Sequence, residues 1–299
     1  MFTDLSIIVV NWNLKDDTIE CIESLLKAGV SLGQIIIVDN GSTDGSITAL
    51  RNHYQTLFII DAKENLGYAA GANLGIEYAL SQDYNKWFLL LNNDTIVAVD
   101  FITEMQNATL ACKEYSILAP IILYHSNPST IWFLADRLIG KTLLTLQSYK
   151  NRNIAQTLPQ IIPTDFTNGC AMMVKRSVFE KIGLFDSKLF MYGEEVDFCW
   201  RARLAGFRFA CFTPAHIWHK ISQSAGQTKP LSRFLRIRNQ IIFYRRYSQN
   251  AQILILFIFT LLKTIRICLT DLFAWKLDLI LPSVRGWMSG WFKTNFAIR

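Results

Sequence analysis

At 299 residues, 51% hydrophobic and 18% charged, the chain is long enough for one large α/β domain with an appendage and too short for two full enzymes. Six cysteines, at 21, 112, 170, 199, 211 and 268, form no C-x-x-C pair; they indicate neither a zinc site nor a disulfide framework and fit a reducing cytoplasm. The net charge of +6 is uneven, because residues 232–299 carry 11 Lys/Arg against two Asp, leaving the tail at about +9 and the body at about −3. A basic, aromatic-rich tail interleaved with apolar runs favours an anionic membrane surface over nucleic acid.

In chain order, Leu5–Val10 is a short apolar run without the basic flank or length of a signal peptide, and reads as a buried first strand. Further strands are expected at Gln34–Val38, Leu57–Ile60 and Trp87–Leu91. Between them, Ile19, Ile22, Leu25 and Leu26, and then Ala69, Ala72, Leu74 and Ile76, follow helical spacing. Alternating strands and helices predict βαβ units around a mostly parallel sheet, with ligands at the carboxyl ends of the strands. The polar stretch 140–160, closed by Pro159 and Pro163, reads as a mobile loop or insertion. Order resumes at Phe166, with a helix after Gly193 and a strand over Phe207–Phe212. The composition changes near residue 232, giving a body of 1–231 and a helical tail of 232–299 that meets a membrane or builds an oligomer. Ile253–Leu262 is only ten residues long before Lys263; crossing a bilayer takes about 20 apolar residues, so the tail helices are expected to lie in the interface.

The polar residues cluster where strands end. Asp39, in the string VDNGSTDGS, follows the second strand and suits an acceptor for a ring N–H of a base; Asn11-Trp12-Asn13 follows the first. No G-x-G-x-x-G follows the first strand and no G-x-x-x-x-G-K-[ST] occurs, so dinucleotide and P-loop sites lose their support. The third loop, ENLGYAAGANLGI, contains Asn65, Gly67 and Asn73, and its backbone N–H groups suit a phosphate. The fourth strand ends in Asn92-Asn93-Asp94, oxygen ligands of the kind that hold Mg²⁺ or Mn²⁺ beside a diphosphate. Glu194, Glu195 and Asp197 open a helix, where acids are also simply favoured by the dipole. The i,i+4 spacing pairs Asp197 with Arg201, which leaves Glu194 and Glu195 as candidates for a base. His216 and His219 follow the last strand.

Taken in order, VVNWN, VDNGSTDGS, ENLGYAAGANLG, LLLNNDT, NGCAMMVKRSVFEKIGLFD and GEEVDFCWRARLAG resemble the landmarks of the family 2 inverting glycosyltransferases, in particular their rhamnosyltransferase-like branch, over about residues 5 to 226. The resemblance implies a GT-A α/β fold with a central, mostly parallel sheet flanked by helices, extended here by amphipathic C-terminal helices. It implies that Asp39 reads the base while Trp12 stacks on it, and that Asn65, Gly67, Asn73 and Asn93 line the nucleotide site. Asp94, with Asn92 replacing the first acid of the family's D-x-D and with His219, would hold a divalent metal. Glu195 would be the catalytic base, beside Glu194; the family usually has Asp at the second position. The donor would be a nucleotide-diphosphate sugar, such as dTDP-rhamnose or a UDP-sugar, and the acceptor a glycan or lipid-linked saccharide. The resemblance thus places the protein at the cytoplasmic face of the plasma membrane, without nucleic acid and with a homo-oligomer open. Long membrane spans and a Q-x-x-R-W string mark the processive synthases of this fold; Arg233-Phe-Leu-Arg-Ile-Arg-Asn239 stands here instead, which favours single additions. The rivals are a catalytically silent sugar-nucleotide-binding subunit and a sugar nucleotidyltransferase. The latter needs a basic, glycine-rich loop after its first strand.

Overall fold

The computed structural model describes residues 2–138, 143, 145–147, 149–154, 157–221 and 229–292. β1 (Leu5–Asn11), α1 (Lys15–Lys27), β2 (Ile35–Asp39), α2 (Ser46–His53), β3 (Phe58–Asp61), α3 (Gly67–Leu80) and β4 (Trp87–Asn92) make the expected βαβ series. Their strands lie side by side in the order β3-β2-β1-β4, all parallel. After β5 (Thr95–Val97) and α4 (Phe101–Ala111) come β6 (Ile117–Tyr124), β7 (Ile131–Phe133), β8 (Asp136–Leu138), β9 (Thr145–Gln147) and β10 (Ile161–Thr164). β11 (Ala171–Lys175) enters antiparallel between β4 and β6. α5 (Arg176–Ile182) and α6 (Glu194–Leu204) precede β12 (Phe209–His219), which pairs parallel with β6. The sheet is therefore parallel in its first half and mixed in its second.

The strand runs are continuously apolar because both faces are covered. Ile7, Val9, Ile35, Ile37, Leu89 and Leu91 pack under α1, α2 and α4. Their alternating neighbours Ile8, Ile36, Val38, Phe88 and Leu90 pack under α3, α5 and α6. The small residues of α3 let it approach closely: a Cβ at Gly75 would come within 2.5 Å of the Ile8 side chain.

Within the 140–160 stretch, β9 pairs with β8, the Ile131 N–H donates to the Arg152 carbonyl and the Asn151 N–H to the Ile131 carbonyl, both at 2.8 Å. The expectation of a loose insertion fails where its backbone is tied to β7; residues 140–142, 144, 148, 155 and 156 lie outside the described residues.

The tail forms α7 (Lys229–Tyr247), α8 (Asn250–Phe273) and α9 (Ile280–Phe292). α7 packs on the body: Phe243 and Tyr247 meet Trp200 of α6 at 5.8 Å between ring centroids. α9 lies close along α7, with Gly286 and Gly290 against Phe234 and Ile241. α8 runs unbroken through Lys263 and Arg266, well past the ten-residue apolar run that Lys263 ends. Its segment Gln252–Phe273 is long and apolar enough to cross a membrane. Polarity is inverted on α8: Thr260, Thr264 and Asp271 face inward, while Leu254, Ile255, Ile258, Leu262 and Leu269 are exposed.

Candidate active site

The sheet order changes direction between β1 and β4, the point at which α/β sheets bind ligands at strand ends. There the register sets Asp61, Asp39 and Asn11 in a row across β3, β2 and β1, with Val10 of β1 opposite Asn92 of β4. Asn11 Nδ2 donates to Asp39 Oδ2 at 2.7 Å, and the Ser42 backbone N–H donates to Asp39 Oδ1 at 2.9 Å. Asp39 is fully buried. Each of its oxygens already accepts one bond and keeps one further lone pair. Trp12 is half-buried in the turn that follows β1.

The third loop is held by Asn40, adjacent to Asp39. Its amide donates to Asn65 Oδ1 at 3.2 Å and to the Gly67 carbonyl at 3.1 Å, and its Oδ1 accepts from the Leu66 N–H. Asn65 Oδ1 also accepts from the Gly67 N–H at 2.9 Å. Gly67 has φ +81°, and a Cβ there would sit 2.5 Å from Phe190; only glycine fits this turn. Asn73 is elsewhere, its amide closing two bonds with the Phe185 backbone at 2.9 and 3.0 Å. Asn93 is turned inward, donating to Asn11 Oδ1 at 3.1 Å and Thr18 Oγ1 at 3.0 Å. Both amides act on protein partners in this structure.

β5 pairs with β12, with Thr95 opposite His219, and this brings Asp94 and His219 together. Asp94 Oδ1 and His219 Nε2 are 3.0 Å apart, both side chains nearly buried. Nδ1 of His219 is buried without a hydrogen-bond partner, and the ring packs edge-on to Trp132 at 4.7 Å. Among the described residues no group of three or more His, Cys, Asp or Glu is disposed to hold a metal. The pair nevertheless fits one: two ligands about 2.1 Å from an ion on perpendicular bonds lie about 3 Å apart, and Mg²⁺ completes its shell with water and phosphate oxygens. Asn92 ends β4 two residues earlier. His216 instead packs edge-to-face against Trp218, with ring centroids 5.2 Å apart.

Glu194 and Glu195 open α6 behind Gly193, which has φ +93°. The Gly193 N–H donates to Glu195 Oε2 at 3.0 Å. Burial raises the Glu195 carboxyl above its usual range; burial and then the Glu195 charge raise Glu194 well above it. Glu194 Oε2 is buried without a partner. The turn at Asn168–Cys170 lies between base and metal pair. A Cβ at Gly169 would contact Glu195 at 3.4 Å, while the Cys170 carbonyl accepts from the Asn92 N–H at 2.9 Å. Asp197 accepts from Arg201 at 2.9 Å, as its spacing predicts, and also from Arg246 and Tyr247 of α7.

Glu195 lines a pocket of about 450 Å³ together with Asn168, Tyr192, Arg236, Asn239 and Gln240. Arg236 and Tyr192 were not anticipated; Tyr192 stands in the turn just before Glu194, and only the packing of α7 brings Arg236 to the base. Asn239 Nδ2 donates to the carbonyls of Leu189, Met191 and Tyr192 at 2.9, 2.9 and 2.6 Å. It thus holds the chain just before Glu194, where Phe190 and Tyr192 both have positive φ.

A nucleotide-type strand-end crevice and an acidic helix start on a partly parallel sheet define the GT-A class of glycosyltransferase fold. The family model for glycosyl transferase family 2 matches residues 6–183, and the chain belongs to that family. The chain is 33% identical over 211 residues to the low-salt glycan biosynthesis hexosyltransferase of Haloferax volcanii, covering 68% of this chain and 62% of that one. It therefore spans less than two thirds of that relative. It is 26% identical over 212 residues to the N-acetylglucosaminyl-diphospho-decaprenol L-rhamnosyltransferase of Mycobacterium tuberculosis, covering 64% of this chain and 68% of that one. Among solved structures it is similar to GalNAc-T7 with UDP, GalNAc and Mn²⁺, at TM-score 0.59 and 15% identity, covering 80% of this chain and 49% of that one. It is also similar to S. aureus TarS, at TM-score 0.52 and 16% identity, covering 79% of this chain and 40% of that one. At these identities the two structures speak to fold alone.

Proposed function

We propose that the protein transfers a hexosyl or 6-deoxyhexosyl group from a nucleotide-diphosphate sugar to a hydroxyl of a glycan or lipid-linked saccharide, with inversion, at the inner face of the plasma membrane. Residues 1–231 supply the donor site and the base; residues 232–299 supply the membrane contact. The observation that carries the reading is the half-buried Glu195, its carboxyl raised, in a pocket joined through the Asn168–Cys170 turn to the strand end that carries Asp94. The names of the two relatives, a hexosyltransferase and a rhamnosyltransferase acting on a diphospho-lipid, support it.

Glu195 takes the proton of the acceptor hydroxyl as that oxygen bonds to the anomeric carbon from the face opposite the leaving group. The bond from carbon to the diphosphate oxygen breaks, its electron pair leaves with the nucleotide diphosphate, and the configuration inverts. Asp94 and His219, with the Asn92 amide, would hold Mg²⁺ or Mn²⁺. The ion would supply neutralisation of the departing diphosphate, an effect of several kcal/mol on such transition states. Asp39 accepts a base N–H on its remaining lone pairs and Trp12 covers the ring, while the Asn65–Gly67 turn, whose Leu66 and Gly67 N–H groups are taken by Asn40 and Asn65, shapes the wall of the nucleotide site.

A silent binding subunit would have no use for a strained glycine-capped turn that buries Glu194 and holds Glu195 at an open pocket. Purified protein screened against UDP-, GDP- and dTDP-sugars with Mn²⁺ should release one nucleoside diphosphate faster than the rest, and EDTA should stop it. Donor binding without release in the presence of membrane extract would support the silent subunit. Full activity in EDTA would remove the metal from the reading.

A further inference from the structure

Glu195 and Asp136 line the reaction pocket, the buried Glu194 is next in the chain, and Arg236 is the sole cation among the described residues of the lining. The way this cation is held is specific. Ser232, Arg236 and Asn239 stand at i, i+4 and i+7 on α7, one face of the helix, and all three grip Tyr192. Ser232 Oγ is 3.0 Å from the Tyr192 hydroxyl, the Arg236 guanidinium lies 4.0 Å from the ring centroid, and Asn239 Nδ2 donates to the Tyr192 carbonyl at 2.6 Å. A cation over an aromatic face is attracted by the ring, so the guanidinium has a fixed station. Tyr192 precedes Gly193, whose N–H holds Glu195 Oε2 at 3.0 Å. The carboxylate is thus folded back toward the residue on whose ring the arginine lies.

Arg236 nevertheless enters none of the ion pairs formed among the described residues. A direct pair would occupy the lone pairs that must take the acceptor's proton. A charge held off on a ring acts through space and favours the ionised carboxylate. That is the direction in which Arg236 acts on both Glu194 and Glu195, against the burial that raises them. The other titratable groups facing Glu195 are Glu194 and Cys199 on α6, Tyr68 on α3, and Asp136, Tyr192 and Tyr244 around the pocket; none of them is a cation. An exposed arginine on a helix is most often only solvated. Here it is pinned to a ring in the turn that carries the base.

We propose that Arg236 is a positioning residue for the transfer: held off the carboxylate by the Tyr192 ring, it is the counter-charge of the Glu195 base and acts through Glu195 without touching donor or acceptor. The inference rests on the reading of Glu195 as the base.

The test is the pH profile of kcat for the full chain, with the nucleotide sugar selected by the donor screen and membrane extract as the source of acceptor. Removing the cation makes the carboxylate harder to form, so Arg236→Gln should move the acid limb to higher pH. On that limb kcat should fall about tenfold, the effect of a displacement by about one pH unit, and on the alkaline side it should return toward the wild-type value. Arg236→Met, which keeps the apolar stem on the ring, is a second neutral variant and should behave alike. Arg236→Lys keeps the charge and should keep most of the wild-type profile. A reading without substrate accompanies these. With ¹³C-carboxyl glutamate, the Glu195 signal, assigned by its disappearance in Glu195→Gln, should titrate at higher pH in Arg236→Gln than in the wild-type chain. Donor affinity by calorimetry should be the same in all of these Arg236 variants, which certifies their folding. A loss of kcat by one factor at every pH, with the titration unmoved, would make Arg236 merely structural and overturn the proposal. A raised KM for donor or acceptor with an unmoved acid limb would give Arg236 a substrate contact and overturn it likewise. Unimpaired turnover in Glu195→Gln would instead remove the base itself, and the proposal with it.

Discussion

Glu195 and Glu194 have adjacent positions and different surroundings. Glu195 is held by the Gly193 N–H and faces the pocket, whereas Glu194 Oε2 is buried without a partner. Glu195→Gln should keep donor binding and lower turnover about 10² to 10⁴-fold, because the amide takes no proton; a larger loss in Glu194→Gln would exchange the two roles. A base works when ionised, so the raised Glu195 carboxyl places the acid limb of the kcat profile above the ordinary carboxylate range, and activity falls as pH drops through it. Stability runs the other way. A carboxyl whose folded pKa is raised gives stability that is complete below its unfolded value and is lost as pH rises through the folded one. Glu194→Gln should therefore raise Tm near neutrality, with the gap closing toward about pH 4; an equal or lower Tm at pH 7 would mean that Glu194 is not held protonated. Asp94→Ala should weaken Mn²⁺-dependent donor binding and nearly abolish transfer, through loss of a metal contribution of several kcal/mol. Isothermal titration with and without Mn²⁺ reads it, and an unchanged metal dependence would take Asp94 out of the site.

The elements that position these side chains differ in how openly the sequence declares them. β1, β2, β3 and β4 end within a residue or so of the expected places; β1, β2 and β4 are covered on both faces and so apolar without interruption, and in all four the first polar residue marks the exit. That is also why Asp39, Asn92 and Asp94 stand out. Asn73 and Asn93 look equally polar, but one serves the Phe185 backbone and the other Asn11 and Thr18. Nothing in a linear string distinguishes an amide facing a ligand from one satisfying a neighbour. α7 was the least legible element: its contribution depends on a return across the body, where Asn239 takes hold of the chain at Leu189–Tyr192. Asn239→Ala removes a donor from the part-buried carbonyls of Met191 and Tyr192 and one of several donors from that of Leu189. It should cost about 1 to 3 kcal/mol in stability and lower kcat more than donor affinity, since the base loses its frame while the nucleotide loop keeps Asn40. Equal losses in kcat and donor binding would show that α7 supports the whole body and not this turn.

At the scale of the molecule, α8 and α9 present an outer surface that a water-facing helix pair would not have. Leu254, Ile258, Leu262 and Leu269 are all exposed on α8, and Phe273 and Trp275 beyond them are 81% and 86% exposed. Contiguous apolar surface of this extent marks a membrane or protein contact. Inside, Arg233 of α7 pairs with Asp271 of α8 at 2.5 Å and Trp287 and Trp291 of α9 donate to Thr260 of α8, so α8 is tied to α7 and α9 to α8 through polar contacts while the apolar side of α8 faces out. Burial of such side chains in a bilayer contributes about 25 cal/mol per Å², and the basic tail adds attraction to anionic lipid that salt screens. The full chain should float with anionic liposomes and be partly released at high salt. Ile258→Glu combined with Leu262→Glu should abolish flotation and leave donor binding intact, because both side chains point away from the body and α7 keeps its hold on the turn before Glu194. Removing the tail from residue 232 is the poorer experiment, since it also removes Asn239. If the full chain never floats but forms an oligomer that the paired substitutions dissolve, the apolar surface belongs to a second copy of the chain. The lipid would then have to reach Glu195 from that interface.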